Sequence, residues 1–145
     1  MSWTYRQLEI NGRPAGVMID DRFSGAAPVK DLPRLAWFGV FCQKKAGGSF
    51  WHPDETQRLD AIEGDLTRLC GQYGRGSAEY LMRIDTRGVR EYYLYSGGDS
   101  ELGQVLPSLQ AAHPKYRIEF EETPDAEWYH YKNILIEVLA HALRG

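Results

Sequence analysis

Hydrophobic and polar positions first alternate with a period of two. Trp3, Tyr5 and Gln7 fall on one side and Thr4, Arg6 and Leu8 on the other, so residues 3–9 predict a strand. Asn11-Gly12 follows. Both residues tolerate positive φ, which predicts a two-residue hairpin turn with a return strand over 14–19. Residues 20–33 are polar and rich in glycine and proline and read as a loop. Residues 35–43 are apolar on both faces, as in a strand covered from both sides. After a second loop over 44–52, with Gly47 and Gly48, the period becomes helical. Proline at 53 suits a first helical position, and Asp54 and Glu55 suit the positive end of the helix dipole. Leu59, Ile62, Leu66 and Leu69 then form one apolar face, and the helix ends within 71–76.

Alternation returns over 79–85 and 89–95 around Thr86-Arg87-Gly88, predicting a second hairpin. A helix over 99–112 carries Leu102, Val105, Leu106 and Leu109 on one face. Pro107 inside it predicts either a kink, against the carbonyl of Gly103, or a shortened helix, and His113-Pro114 stops it. Tyr116, Ile118 and Phe120 alternate with Arg117, Glu119 and Glu121, a strand with one wet face. Thr123-Pro124-Asp125 opens the last helix, whose apolar stripe is Trp128, Tyr131, Leu135, Val138, Leu139 and Ala142. The order is β-β, then β-α-β-β-α-β, then α. The fold class is therefore α+β, a ferredoxin-like βαββαβ antiparallel sheet with an N-terminal β-hairpin and a C-terminal helix. The last helix buries its stripe on this chain or on a partner. No linker, repeat or low-complexity tract divides residues 1–145, so one domain is expected.

Composition narrows the functional classes. At 43% hydrophobic and 26% charged, the chain is neither disordered, collagen-like nor a coiled coil. Lys+Arg 17 against Asp+Glu 20 gives a charge of −3, which argues against a duplex-DNA binder. There is no leader-like start and no stretch near the ~20 apolar residues of a membrane span, so a cytoplasmic location and no membrane partner are expected. Cys42 and Cys70 stand 28 apart, a spacing of no zinc or redox motif, and read as reduced thiols. His52, His113, His130 and His141 show no metal-ligating spacing. No metal or cofactor is expected, and no catalytic set assembles.

Four constellations invite a functional reading beside a plainer one. Arg83, Arg87 and Arg90 surround one hairpin with Tyr92, Tyr93 and Tyr95. They make a face for an anion or single-stranded RNA, or else cross-strand pairs with Asp85 and Glu91. Asp125, Trp128 and Tyr131, at i, i+3 and i+6, make a pocket with a rim carboxylate, or a cap with two core aromatics. Phe50 and Trp51 form a lid or partner-binding tip, or fold back over the core. Glu119, Glu121, Glu122, Asp125 and Glu127 steer a basic partner, or are the solvated face of a strand and an acidic helix start.

Several of these residues also carry a family resemblance. Trp3-x-Tyr5, Asn11-Gly12-x-Pro14, Glu55, Leu59-Asp60-Ala61-Ile62-Glu63, the run from Thr86-Arg87-Gly88 to Tyr95, and Asp125-x-x-Trp128-x-x-Tyr131 together resemble the uncharacterised bacterial DUF695 family over residues 3–131. More distantly, the arrangement is similar to the regulator of ribonuclease activity B family, acidic proteins that inhibit ribonuclease E. That likeness implies a protein-binding regulator, although this chain lacks their long acidic tract. The expected function is a non-enzymatic binding or regulatory module acting through protein contacts. One alternative is an enzyme or small-ligand binder with Arg90, Tyr93, Asp125 and Trp128 in a pocket between sheet and last helix. Another is single-stranded RNA binding on the sheet. The aromatics further motivate a homodimer through an edge strand or the last helix.

Overall fold

Asn11 and Gly12 adopt φ of 53° and 78°, the left-handed pair that a tight hairpin turn requires. They join β1 (Trp3–Ile10) to β2 (Arg13–Asp20) in the computed structural model, which describes residues 3–47 and 49–144, without the side chains of 142–144. Gly48 and the side chain of Ala142 lie outside the described residues. The chain continues as β3 (Arg34–Phe41), α1 (Thr56–Gly74), β4 (Ala78–Thr86), β5 (Val89–Ser96), α2 (Val105–Ala112), β6 (Arg117–Pro124) and α3 (Tyr129–Arg144). The strands form one sheet in the order β1-β2-β4-β5-β3-β6, with every neighbouring pair antiparallel. β1 and β6 are the edges, and the doubly apolar β3 lies inside.

Side-chain alternation divides the strands between two cores. On one face Ala36, Phe38, Val40, Tyr92, Leu94 and Ile118 meet Leu59, Ile62, Leu66 and Leu69 of α1 and Val105 and Leu109 of α2. On the other, Ala15, Val17, Ile19, Met82, Ile84 and Tyr95 meet Trp128 and the Tyr131, Ile134, Leu135 and Val138 stripe of α3. Each fully buried aliphatic side chain contributes roughly 1.5–3 kcal/mol. The last helix thus covers this chain's own sheet. Leu139, assigned to the stripe by spacing, turns outward and is 52% exposed, because the buried arc is centred on Tyr131, Leu135 and Val138.

Two local expectations are corrected and one is decided. Pro107 goes with a shortened helix instead of a kinked one. A short 3-10 turn over Leu102–Gln104 comes first, and α2 begins at Val105. Pro107 is therefore in the first turn, where an N–H has no partner within the helix to lose. Pro124 ends β6 rather than opening α3, which an edge strand tolerates. Asp125 and Trp128 consequently precede the last helix instead of sharing its face with Tyr131. Thirdly, α1 is preceded by a 3-10 turn over Pro53–Glu55, capped by His52, whose Nδ1 accepts from the Asp54 N–H at 3.1 Å.

Glu55 ties the 44–52 loop to the core. Its buried carboxylate accepts from the Gln43 and Lys44 N–H groups at 2.8 and 3.0 Å and from the Tyr116 hydroxyl at 2.8 Å. Burial works against its charge, but these hydrogen bonds hold the carboxyl below its ordinary pKa. Cys42 lies just past β3 and Cys70 inside α1, and both are free thiols. Burial pushes them up to about 11 and about 12, so neither is the reactive thiolate of a redox site. No helix among the described residues is long and apolar enough to cross a membrane.

Candidate functional sites on the two faces and the hairpin end

The arginine hairpin is divided by strand parity. Arg83, Asp85, Arg90 and Tyr92 point toward α1, and Asp85 sits opposite Arg90 in the ladder. The Arg90 Nε donates to Asp85 Oδ1 at 2.8 Å, and only 2% of Arg90 is exposed. The Arg83 Nε donates to Asp85 Oδ2 at 3.1 Å and its Nη1 to Glu63 Oε1 at 2.9 Å. Burial alone would weaken the charge of both arginines. The facing carboxylates, Asp85 above all, more than offset this and raise both pKa values. Arg87, at the turn, is exposed. Of the three predicted binding arginines, two neutralise carboxylates inside and one reaches solvent. The sheet tyrosines Tyr92, Tyr93 and Tyr95 are all buried.

The loop aromatics fold back. The Trp51 indole N–H donates to Thr56 Oγ1 at 2.9 Å, and the Arg90 guanidinium carbon lies 4.6 Å from the ring centroid. The Phe50 ring rests on Gly16, where an added Cβ would come within 2.9 Å of it. Between this loop, the first hairpin and the β4–β5 turn lies a cleft of about 620 Å³. Its walls include Gln7, Arg13, Pro14, Phe50, Thr86 and Arg87. The structure thus brings Phe50 and Arg87 together, and adds Arg13, which no local pattern marked.

The α3 face carries a second cavity, of about 320 Å³, lined by Leu35, Trp37, Glu91, Tyr93, Glu121 and Thr123. The Glu91 Oε2 accepts from the Trp37 indole at 2.7 Å and from the Tyr93 hydroxyl at 3.1 Å. Burial, then Glu91, raises the Tyr93 pKa, so its phenol stays a donor. The Trp37 ring lies across Gly39, where a Cβ would come within 2.5 Å of it. A Gly39→Ala substitution is therefore expected to lift the indole off the sheet at a cost of about 1–3 kcal/mol. Urea unfolding and the near-ultraviolet circular dichroism of Trp37 check this. The His130 ring lies against Tyr93, 4.5 Å between centroids and tilted by 34°. Burial lowers its pKa from 6.5, with Asp125 and Glu91 pulling the other way.

Asp125, Trp128 and Tyr131 take the plainer of their two roles. Asp125 Oδ1 accepts from the Tyr129 N–H at 3.0 Å and Oδ2 from the His130 N–H at 3.1 Å, capping α3. The Tyr95 hydroxyl donates to the same Oδ2 at 2.7 Å. Trp128 is wholly buried, stacked on Tyr95 at 4.2 Å and edge-on to Tyr131 at 5.5 Å. Its indole N–H donates to the Leu32 carbonyl at 2.8 Å. The anticipated pocket of Arg90, Tyr93, Asp125 and Trp128 does not assemble, because Arg90 and Tyr93 project from opposite faces of β5 and Trp128 is wholly buried in the core. Trp37 carried no sequence signal, and Glu91 and Glu121, each marked in the sequence for another reason, meet it only in the fold. Their meeting depends on the β3–β5 and β3–β6 pairings, which place Trp37 beside Tyr93 and Glu121.

No curated protein matches the chain. Among solved structures, a de novo designed protein, Foldit4, is similar over 63% of this chain and 97% of its own, at 12% identity and a TM-score of 0.36. The model of the family of unknown function DUF695 matches residues 1–136, and with nearly its whole length matched, the chain belongs to the DUF695 family.

Proposed function

We propose that this protein is a non-enzymatic cytoplasmic binding module that docks a basic, extended protein segment along the β6 edge of its sheet. A ferredoxin-like architecture for this module is supported by the neighbour order β4-β5-β3-β6, which matches that of a split βαβ unit. The free thiols suit a reducing compartment. The observation that carries the proposal is the cavity beside β6. Trp37 and Tyr93 supply aromatic surface, Glu91 and Glu121 supply carboxylates, and among the described residues no lysine or arginine lines it. Such a lining suits a lysine or arginine side chain.

β6 pairs only with β3, so a partner strand has an edge to extend. In strand addition the main chain supplies affinity and every second side chain supplies specificity. Alternate side chains of the added strand would lie over Glu121 and the cavity. A lysine-rich extended peptide is expected to bind, in fluorescence anisotropy, at least about tenfold more tightly than a glutamate-rich one, and to weaken with salt. The Glu91→Gln, Glu121→Gln double variant is expected to abolish that preference. Equal binding of the two peptides sinks the reading. A doubling of mass with concentration in light scattering, lost in the same variant, would replace the basic partner with a second copy of this chain.

A further inference from the structure

From the cleft at the opposite edge region of the sheet, we infer a second binding site of opposite charge, one that takes a nucleotide unit, an anionic phosphate with a planar base. This goes beyond the docking surface of β6 and shares no residue with it. Arg13 and Arg87 come from different hairpins and converge on one cavity. Both are exposed, and neither has a carboxylate within ion-pairing distance among the described residues. Their neighbours Arg83 and Arg90 are held in buried ion pairs. Among the described residues no aspartate or glutamate lines the cleft, so no carboxylate there competes for the two guanidinium groups.

Two planar guanidinium forks in one cavity match the oxygens of a phosphate. The remaining wall matches the rest of a nucleotide. Phe50 is seated on Gly16, which holds its ring in place and offers a base a surface for stacking. Gln7 adds an amide capable of hydrogen bonding to a base edge. The volume of about 620 Å³ falls in the usual range for small-ligand sites, roughly 300–1,000 Å³. The Arg87 turn is also braced against the loop, since the Gly88 N–H donates to the Phe50 carbonyl at 2.9 Å. The stacking residue and one of the two cations are therefore positioned by the same backbone contact.

The ligand chemistry has two sources, a free nucleoside phosphate or a nucleotide within a single strand. Calorimetric titration of the full chain with adenosine monophosphate, a short single-stranded oligoribonucleotide and inorganic phosphate separates them. Saturable binding of the monophosphate, competed by inorganic phosphate, assigns the free nucleotide. Binding of the oligonucleotide alone assigns the strand. In either case Arg13→Gln and Arg87→Gln are each expected to weaken binding about 10- to 100-fold, as for the loss of a charged hydrogen bond. Phe50→Leu is expected to weaken the nucleotide but not inorganic phosphate. Arg68→Gln, which removes an exposed charge elsewhere on α1, is expected to leave binding unchanged. All four positions are exposed or half-exposed, and circular dichroism checks that each variant folds. Binding of neither nucleotide nor strand overturns the inference, as does binding that survives the Arg13→Gln, Arg87→Gln double variant.

Discussion

Asp85→Ala is expected to destabilise the protein by about 3–5 kcal/mol, a large fraction of the roughly 5–15 kcal/mol that holds a domain folded. The substitution removes one small side chain but leaves two arginines facing an apolar core. Arg90 is 2% exposed and its Nε has Asp85 as its carboxylate partner at 2.8 Å. Arg83 keeps Glu63, and so loses only one of its two partners. The cost is mainly that of a buried charge without a counter-charge, more than that of a lost contact. That origin makes a second, opposite expectation. Removing both charges, with Asp85→Leu and Arg90→Met together, is expected to cost much less than Asp85→Ala alone. Urea unfolding measures both, with a shifted midpoint at constant slope in each case. If the double variant is the less stable of the two, the ion pair contributes more than it costs to bury and the argument fails.

Trp128→Ala is the second large effect, at about 3–5 kcal/mol. The indole fills the space between Tyr95, Tyr131 and Phe23, and supplies the hydrogen bond to the Leu32 carbonyl. Its backbone adds a diagnostic. Trp128 sits at φ 57°, in the left-handed region that a side chain pays about 1–2 kcal/mol to occupy. Trp128→Gly loses the same ring but relieves that strain. The glycine variant is therefore expected to be the more stable of the two by about 1 kcal/mol, reversing the usual order of alanine and glycine. Equilibrium unfolding of the pair decides it. Alanine outlasting glycine would mean that the backbone at 128 is not strained.

Local pattern announces local structure well here, and pairing poorly. The Asn11-Gly12 turn, the α1 face of Leu59, Ile62, Leu66 and Leu69, and the wet face of β6 are all legible because each depends on residues close in the chain. Pro107 signals a shortened helix, but where α2 begins is hidden, because the apolar spacing of Leu102, Val105 and Leu109 runs without a break through a 3-10 turn into α2. Asp125 misleads because its side chain reaches over three intervening residues to cap a helix that starts at Tyr129. Both cavities were illegible for another reason. Arg13 and Arg87, like Trp37, Tyr93 and Glu121, meet only through pairings between distant strands. Even the arginines of one hairpin look alike in sequence. Parity sends Arg83 and Arg90 inward, and position at the turn sends Arg87 out.

The two long-range bonds of the C-terminal region have a bearing on how the molecule is made. The Tyr131 hydroxyl donates to the Asp20 carbonyl across 111 positions of sequence, and the Trp128 indole to the Leu32 carbonyl across 96. Ala15, Val17, Ile19, Met82 and Ile84 share one core with Trp128 and with Tyr131, Ile134, Leu135 and Val138 of α3. During synthesis, β1 and β2 are made more than a hundred residues before α3, so an early hairpin keeps part of its apolar face bare until α3 has emerged. These strands therefore wait for a distant helix, and in that interval the growing chain is open to aggregation.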